Sequence, residues 1–311
     1  MKPPPFDYHG PVTLDEALGV LAETGPDGKV LAGGQSLIPL LNMRLAAPAH
    51  LVDINRLPGL DTIEAGPGGV RVGALARHAA VERSAAAAAV QPLLGQALRL
   101  VAHPVIRNRG TVVGSLVHAD PSAEMPAVLA LLGGSVRLAR RGGEREVPAE
   151  EFFTGPMESA LLPGEMAVSA FFPALPGRSG TAFRELARRH GDYAMAGVAA
   201  AVTLDDDFRI AAARVACVSV GPVPVVVDVT AACGPRPAAS VDWDAVAAAV
   251  LDRIEPEADI HATAEYRRHL TGVLAVRALR DAAREASEDP EASDASDASE
   301  ASEASEGEEG A

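Results

Sequence analysis

Residues 30–41 read Val30-Leu31-Ala32-Gly33-Gly34-Gln35-Ser36-Leu37-Ile38-Pro39-Leu40-Leu41, a glycine turn between two apolar segments. Because glycine permits a sharp reversal of the backbone, this pattern predicts a short buried strand that passes directly into a helix. The next short apolar run covers residues 51–54. A strand, a helix and a strand within about 25 residues predict a compact βαβ unit.

A second glycine turn lies about 75 residues further on and reads Arg107-Asn108-Arg109-Gly110-Thr111-Val112-Val113-Gly114-Ser115. Each turn is predicted to open a helix, where unpaired backbone N–H groups and the helix dipole attract an anion, usually phosphate. Two such turns suggest a ligand with two linked phosphates, held from both sides. Neither turn has the Walker A or G-x-G-x-x-G pattern. No catalytic dyad or triad stands out, so no catalytic residue is predicted.

Proline and glycine divide the chain into three predicted domains, residues 1–58, 59–176 and 177–284, followed by an acidic tail at 285–311. Thr13 and Glu16 form the capping-box pattern of a helix start. A helical region is predicted for residues 77–102 with a break near Pro92, and Asp120 is predicted to cap a helix over 122–132. The remaining predictions are a hairpin at 135–147, strands at 166–172, 181–186, 195–204 and 210–220, and helices at 242–254 and 264–284.

The net charge of −15 is concentrated at the C-terminus, where residues 285–311 hold eleven acidic residues and no Lys or Arg. Removing those eleven charges leaves −4 for the remaining residues, without the basic stripe that nucleic-acid binding requires. The repeated Ala-Ser-Glu/Asp pattern predicts a disordered tail, either purely solvating or available for partner docking. No apolar run has the roughly 20 residues of a membrane span, and no secretory signal is recognisable, so a cytoplasmic location is expected.

The chain contains two cysteines, Cys217 and Cys233. An iron–sulfur cluster usually takes four thiolate ligands, so this chain is not expected to hold one unaided. Both are predicted to be buried, reduced thiols. His103 and His118 lack carboxylate or thiolate partners at ligand spacing, so no metal site is predicted.

Five motifs in one order together resemble the FAD-binding medium subunit of molybdenum hydroxylases, which include carbon monoxide and xanthine dehydrogenases. The resemblance covers residues 1–284 and rests on residues 32–39, 103–111, 118–126, 189–194 and 266–270. It implies an α+β fold of two α/β FAD-binding subdomains, of the type found in vanillyl-alcohol oxidase, plus a C-terminal α+β domain. That domain would combine a small antiparallel sheet with helices.

Carried over by position, the resemblance implies a set of FAD contacts from all three domains. The first turn would wrap the pyrophosphate and part of the ribityl chain, the second would approach from the other subdomain, and later residues would line the flavin. The residues are Ala32, Gly33, Gly34, Gln35, Ser36, Leu37, Thr111, Gly114, Ser115, Glu124, Met166 (or Ala167) and Tyr193.

One position departs from the family pattern, because Val113 stands where relatives have the first glycine of Thr-x-Gly-Gly. Valine disfavours a positive φ, so the departure predicts either a shifted loop or weaker FAD binding. The motif Tyr266-Arg267-Arg268-His269 is interpreted as a helix start with exposed charge.

The function implied by the resemblance is electron transfer through FAD. A large partner subunit would hold the molybdenum cofactor and a small partner two [2Fe–2S] clusters, in a dimer of heterotrimers. The external acceptor would be NAD⁺, a quinone or another oxidant. Two alternatives remain open, a stand-alone FAD-dependent oxidoreductase and a scaffold subunit that has lost FAD.

Overall fold

The N-terminal lobe is a small parallel sheet with two helices. The computed structural model describes residues 2–288. Three strands pair in the order β1-β3-β2, with bounds β1 Asp7–His9, β2 Gly28–Leu31 and β3 His50–Asp53. The helices are α1 Leu14–Thr24 and α2 Leu37–Met43. The predicted βαβ unit is confirmed, because β2 and β3 are parallel neighbours and α2 connects them.

Helix α1 begins at the predicted capping box. The Thr13 hydroxyl accepts a hydrogen bond from the Glu16 N–H at 3.2 Å, and the Glu16 carboxylate accepts one from the Thr13 N–H at 3.3 Å. These two bonds satisfy donors that the first helical turn leaves unpaired. Ala17, Leu18 and Leu21 form the buried face of α1, which fixes the helix against the rest of the lobe.

The second lobe is built on a five-stranded antiparallel sheet in the order β4-β5-β10-β6-β7. Its strands are β4 Ile63–Gly66, β5 Gly69–Gly73, β6 Ser135–Arg140, β7 Gly143–Pro148 and β10 Met166–Pro173. A separate short pair comprises β8 Phe153–Gly155 and β9 Glu158–Ser159. The hairpin predicted at 135–147 is confirmed as β6 and β7.

Seven short helices accompany this sheet. The region predicted as helical at 77–102 is divided, with Pro92 at the first turn of its third helix. The helices are α3 His78–Glu82, α4 Ala85–Val90, α5 Pro92–Leu98, α6 Pro104–Arg107, α7 Val112–His118, α8 Glu124–Leu132 and α9 Ala149–Phe152.

The start predicted for the helix over residues 122–132 is wrong. Helix α8 begins at Glu124 rather than Ser122, and its N-cap is Ala123 rather than Asp120. The Asp120 carboxylate instead accepts a hydrogen bond from the Ser122 N–H at 2.9 Å. A local turn of this kind competes with helix formation, which delays the start of α8.

The C-terminal domain pairs a four-stranded antiparallel sheet with a long helix. The strands are β11 Ser179–Ala187, β12 Ala194–Leu204, β13 Ile210–Val218 and β14 Val225–Asp228. The helices are α10 Thr230–Cys233, α11 Trp243–Leu251 and α12 Ala264–Ser287. The strands and helices predicted here are thus present, and both cysteines are buried as predicted.

Both faces of this sheet are covered by helices. Helix α12 packs on β11 and β12, and α8 of the second lobe packs on β12, β13 and β14. All residues of α8 from Met125 to Leu129 are buried. The second lobe and the C-terminal domain are therefore joined through α8.

Helix α12 extends to Ser287, past the boundary predicted for the acidic tail at residue 285. The Glu285 carboxylate accepts a hydrogen bond from the Thr181 N–H at 2.9 Å, which ties the end of α12 to β11. The predicted disorder of residues 289–311 lies outside the described residues. Among residues 2–288, no helix combines the length and apolarity that a membrane crossing requires.

Candidate functional site

The two glycine turns are in direct backbone contact. A Cβ atom on Gly33 would lie 2.4 Å from the Arg109 carbonyl oxygen and 2.8 Å from the Gly110 Cα. Only glycine fits at such a separation. Gly34 follows with a φ of +72°, a conformation that glycine adopts without strain. The first lobe and the second lobe therefore meet at these two turns.

The first turn presents a row of free backbone amides. Within residues 2–288, no hydrogen-bond acceptor contacts the backbone N–H groups of residues 33–37, and the first paired amide is that of Ile38, which donates to the Gly34 carbonyl. The Gln35 side-chain amide donates to the Gly33 carbonyl at 3.1 Å, which braces the turn. Successive free N–H groups in a turn form a concave site for an anion.

A pair of polar side chains, Asn55 and Arg77, links the two turns. The Asn55 amide donates to the Ala32 carbonyl at 2.8 Å, and its oxygen accepts from Arg77 Nη2 at 2.7 Å. Arg77 Nη1 donates to the Arg109 carbonyl at 2.6 Å. This bridge runs from the first turn to the second and fixes their spacing.

Sequence reasoning missed both residues of the bridge. The available signal was the position of Asn55, directly after the carboxyl end of the strand predicted at residues 51–54, where ligand sites of open α/β sheets lie. Arg77 lies 22 residues from Asn55 and 32 residues from Arg109. Such non-local pairing leaves no pattern in a single sequence.

The second turn is fixed by Thr111, which caps α7. Its buried hydroxyl accepts a hydrogen bond from the Gly114 N–H at 3.1 Å. Val113 is the second residue of α7, its side chain is buried, and it is absent from the residues with positive φ. A helical conformation suits valine, so Val113 does not need the positive φ that only glycine would adopt easily. Weaker FAD binding caused by Val113 stays a prediction.

A histidine packs beneath the second turn. The His78 ring would lie 3.0 Å from a Cβ atom on Gly110. Burial lowers the pKa of His78 to about 4, and the positive charge of Arg107 contributes to that decrease. The ring is thus neutral at pH 7 and acts as packing under the turn.

The side chains of Asp120, Glu124, Glu185 and Tyr193 lie near one another around the start of α8, and we call the surface they surround the acidic cleft. Burial raises the pKa of Glu124 to about 7, and the nearby carboxylate of Asp120 adds to the shift. Glu185 of β11 lies close to Glu124, and burial together with the charge of Glu124 raises the pKa of Glu185 to about 8. Glu185 was not singled out from the sequence.

Tyr193 belongs to the same cleft. Its pKa is raised by desolvation of the phenol and by the negative charges of Asp120 and Glu124, although 67% of the residue is exposed. An exposed aromatic ring at the edge of a cleft is free to stack on a planar ligand. The cleft therefore combines an aromatic wall with carboxyl groups that carry protons near neutral pH.

The remaining site residues lie in different settings. Leu37 opens α2 and Ser115 lies in the first turn of α7, both half-buried. Met166 is buried at the start of β10, and neighbouring Ala167 is also buried, so their role at a ligand stays a prediction. Arg188 and Arg189 both pair with Asp192 at 3.5 and 3.3 Å.

Comparison with known proteins agrees with this geometry. A family model described as FAD binding domain in molybdopterin dehydrogenase matches residues 4–175. A second model, described as CO dehydrogenase flavoprotein C-terminal domain, matches residues 181–282. The chain belongs to the FAD-binding medium subunits of molybdenum hydroxylases.

Relatives of this medium subunit cover nearly its whole length. It is 41% identical to the 6-hydroxypseudooxynicotine dehydrogenase complex subunit alpha of Paenarthrobacter nicotinovorans, over 91% of this chain and 96% of that protein. It is 34% identical to the carbon monoxide dehydrogenase medium chain of Hydrogenophaga pseudoflava, over 91% and 98% of the two chains. The crystal structure of quinoline 2-oxidoreductase from Pseudomonas putida 86 superposes with a TM-score of 0.86 at 35% identity, covering 92% and 99%.

The medium subunit is thus an oxidoreductase component that binds FAD. The residues present fit the cofactor, because the free amides of residues 33–37 match a diphosphate. The contact between Gly33 and Gly110 leaves no side chain in the way. The predicted fold class, cofactor and family are all confirmed.

Proposed function

We propose that this chain is the electron-transferring FAD subunit of a molybdenum hydroxylase in the cytoplasm. It would accept electrons from [2Fe–2S] clusters of a small partner subunit and pass them to an external acceptor such as NAD⁺ or a quinone. A large partner subunit would hold the molybdopterin cofactor and oxidise the substrate, within a dimer of heterotrimers. The observation that carries the proposal is the contact between the two glycine turns.

The contact supports the proposal because it places the free amides of the first turn directly against the second turn, so that one ligand would touch both lobes. Backbone amides of residues 33–37 would bind the pyrophosphate. The N-terminal end of α7, at Thr111, Gly114 and Ser115, would face it from the second lobe. The bridge of Asn55 and Arg77 holds the two turns at one separation before any ligand binds. Preorganisation of this kind reduces the entropic cost of binding.

The acidic cleft would contact the other end of the cofactor. Glu124 would contact the flavin nucleotide, and Tyr193 would lie against the isoalloxazine and exclude water from one face. Bound FAD supplies the one-electron and two-electron redox chemistry, which the protein side chains lack. With pKa values of about 7 and 8, Glu124 exchanges its proton around neutral pH and Glu185 stays mostly protonated there.

Purification of the full chain with an affinity tag from its own cells tests the proposal. We expect a yellow complex with about one FAD per chain and with molybdenum and iron in co-purifying large and small subunits. Flavin without molybdenum and iron would favour the stand-alone oxidoreductase. A colourless chain that neither takes up added FAD nor gains thermal stability from it would support the scaffold alternative and overturn the proposal.

Electron flow is tested on the purified complex under anaerobic conditions. Addition of the oxidisable substrate should bleach the flavin absorbance, and addition of the acceptor should restore it. A variant Gly33→Ala serves as the matched control, since it should assemble with the partners but hold less FAD. Substrate oxidation that reduces the iron–sulfur centres and leaves a bound flavin oxidised would contradict the proposed route.

A further inference from the structure

Ser219 lies at the junction of three segments around the acidic cleft. It follows β13 and has a φ of +63°. Its N–H donates to the Pro121 carbonyl at 2.9 Å, just before the start of α8. Its hydroxyl donates to the Ala194 carbonyl at 2.6 Å and lies within hydrogen-bond distance, 2.9 Å, of the Ser122 hydroxyl.

The segments joined by Ser219 carry the two walls of the cleft. Ala194 follows Tyr193 directly, and Ser122 lies two residues before Glu124. One serine therefore binds the aromatic wall on the C-terminal domain and the acidic wall on the second lobe at the same time. A positive φ is uncommon for serine and costs free energy unless surrounding contacts hold it.

Arg267 holds Ser219 from the opposite side. Its Nη1 donates to the Met195 carbonyl at 2.7 Å and to the Ser219 carbonyl at 3.3 Å, while Nη2 pairs with Asp259 at 2.6 Å. Only 6% of Arg267 is exposed. The interpretation of this residue as an exposed charge is therefore wrong, because its buried guanidinium binds two backbone carbonyls, one at the start of β12 and one just after β13.

We propose that Ser219, clamped by Arg267, is a positioning residue that sets the separation between Tyr193 and Glu124 across the flavin cleft. Ser219 acts through the segments it binds and has no contact of its own with the cofactor. The inference rests on the proposed function, because the cleft is assigned to FAD there. Loss of the hydroxyl frees the Ala194 carbonyl and the Ser122 hydroxyl. Tyr193 then loses its side-chain link to the segment before α8, and only the bond from the Ser219 N–H to the Pro121 carbonyl remains there.

The test compares three variants of the full chain. Ser219→Ala removes the hydroxyl and keeps the backbone strain, whereas Ser219→Gly removes the hydroxyl and relieves the strain. Ser179→Ala is the matched control, because Ser179 also shares a hydroxyl pair, with Thr203 at 2.7 Å. Ser179 is the first residue of β11, and the last residue of that strand, Ala187, pairs with Ala194 beside Tyr193. At the usual rise of a strand, the two ends of β11 lie about 25 Å apart.

The readouts are FAD affinity by titration, flavin fluorescence in the bound state, and thermal melting of the apoprotein. Both Ser219 variants should weaken FAD binding about three- to tenfold, the change expected if displacement of one cleft wall costs the cofactor one hydrogen bond. They should also raise the fluorescence of bound FAD, because Tyr193 no longer stacks closely enough to quench it. The Ser179 control should leave affinity and fluorescence at the wild-type values.

Each outcome bears on the inference. Normal affinity and fluorescence in both Ser219 variants overturn it while leaving the proposed function intact. Wild-type behaviour of Ser219→Gly beside a defective Ser219→Ala also overturns it, because backbone strain and not the hydroxyl would then be responsible. Failure of the wild-type chain itself to bind FAD refutes the proposed function instead. If Ser219→Ala does not fold, Ser122→Ala removes the same hydroxyl pair from the other side and should raise the fluorescence alike.

Discussion

The contact between the two glycine turns predicts a strong effect for Gly33→Ala. The added Cβ would lie 2.4 Å from the Arg109 carbonyl oxygen, and ordinary contact begins at 3.4 Å, so the turns must separate by about 1 Å. The Arg109 carbonyl oxygen and the Gly110 Cα, the two atoms nearest to the added Cβ, both belong to the backbone. Arg77 already binds the Arg109 carbonyl. Overpacking of this kind costs about 1–3 kcal/mol.

Moving the two turns apart in Gly33→Ala should reduce FAD affinity more than it reduces the free energy of unfolding. Loss of one charge-assisted hydrogen bond from a backbone amide to phosphate weakens binding by about 1.5–3 kcal/mol, or about 10- to 150-fold. FAD titration by visible absorbance or flavin fluorescence measures this change directly. Thermal melting of the apoprotein should show a decrease of about 2–10 °C.

A control for the Gly33 variant is available in the same lobe. Gly19 lies in α1, and a Cβ there meets nothing within 4 Å, so Gly19→Ala should raise stability slightly. FAD affinity should remain unchanged in that variant. Wild-type affinity in Gly33→Ala would refute the reasoning, because it would mean that the turns do not act together on one ligand.

Three further predictions follow from charged and aromatic groups. The raised pKa of Glu185, about 8 against an ordinary 4.5, means that the folded state holds this proton more tightly than the unfolded chain. The free energy of unfolding of the wild type should therefore fall between about pH 5 and pH 8. At pH 9, Glu185→Gln should be about 3 kcal/mol more stable than wild type in urea unfolding. Parallel pH curves for the two proteins would contradict this. Arg107 pairs with Glu82 at 2.8 Å, and both side chains are largely buried. Arg107→Ala should therefore lower the free energy of unfolding by about 3 kcal/mol in the same assay. As a control, Arg188→Ala removes a side chain that is 62% exposed and should lower it by less than about 0.5 kcal/mol. Tyr193→Ala should increase the fluorescence of bound FAD with little change in apoprotein melting, and unaltered fluorescence would place the flavin elsewhere.

Local patterns predicted much of the fold. The capping box at Thr13 and Glu16, the strand–helix–strand unit around Gly33 and the long helix α12 depend on residues close in sequence. Those signals are strong because each is satisfied within one element. The resemblance to medium subunits added the cofactor, which the glycine turns alone restricted only to a ligand with two phosphates.

Non-local pairing contributes to the failures at Arg267 and at the start of α8. Arg267 was interpreted as exposed, yet its acceptors on Met195 and Ser219 lie 72 and 48 residues away. The start of α8 was misplaced because Asp120 and Pro121 match a helix start locally, while Ser219 holds the Pro121 carbonyl from another domain. Val113 was judged by the conformation that glycine allows, and its helical backbone became evident only in the structure.

Coverage of α8 on both sides limits how the cleft can open. Swinging the C-terminal sheet away would expose one side of a helix in which Met125, Val128 and Leu129 are all fully buried. At about 1.5–3 kcal/mol for each large side chain, that exposure approaches the whole stability of a typical domain. Opening the cleft by a swing of the whole C-terminal sheet is therefore costly. Because this burial joins the second lobe to the C-terminal domain, the apoprotein should melt in a single cooperative transition.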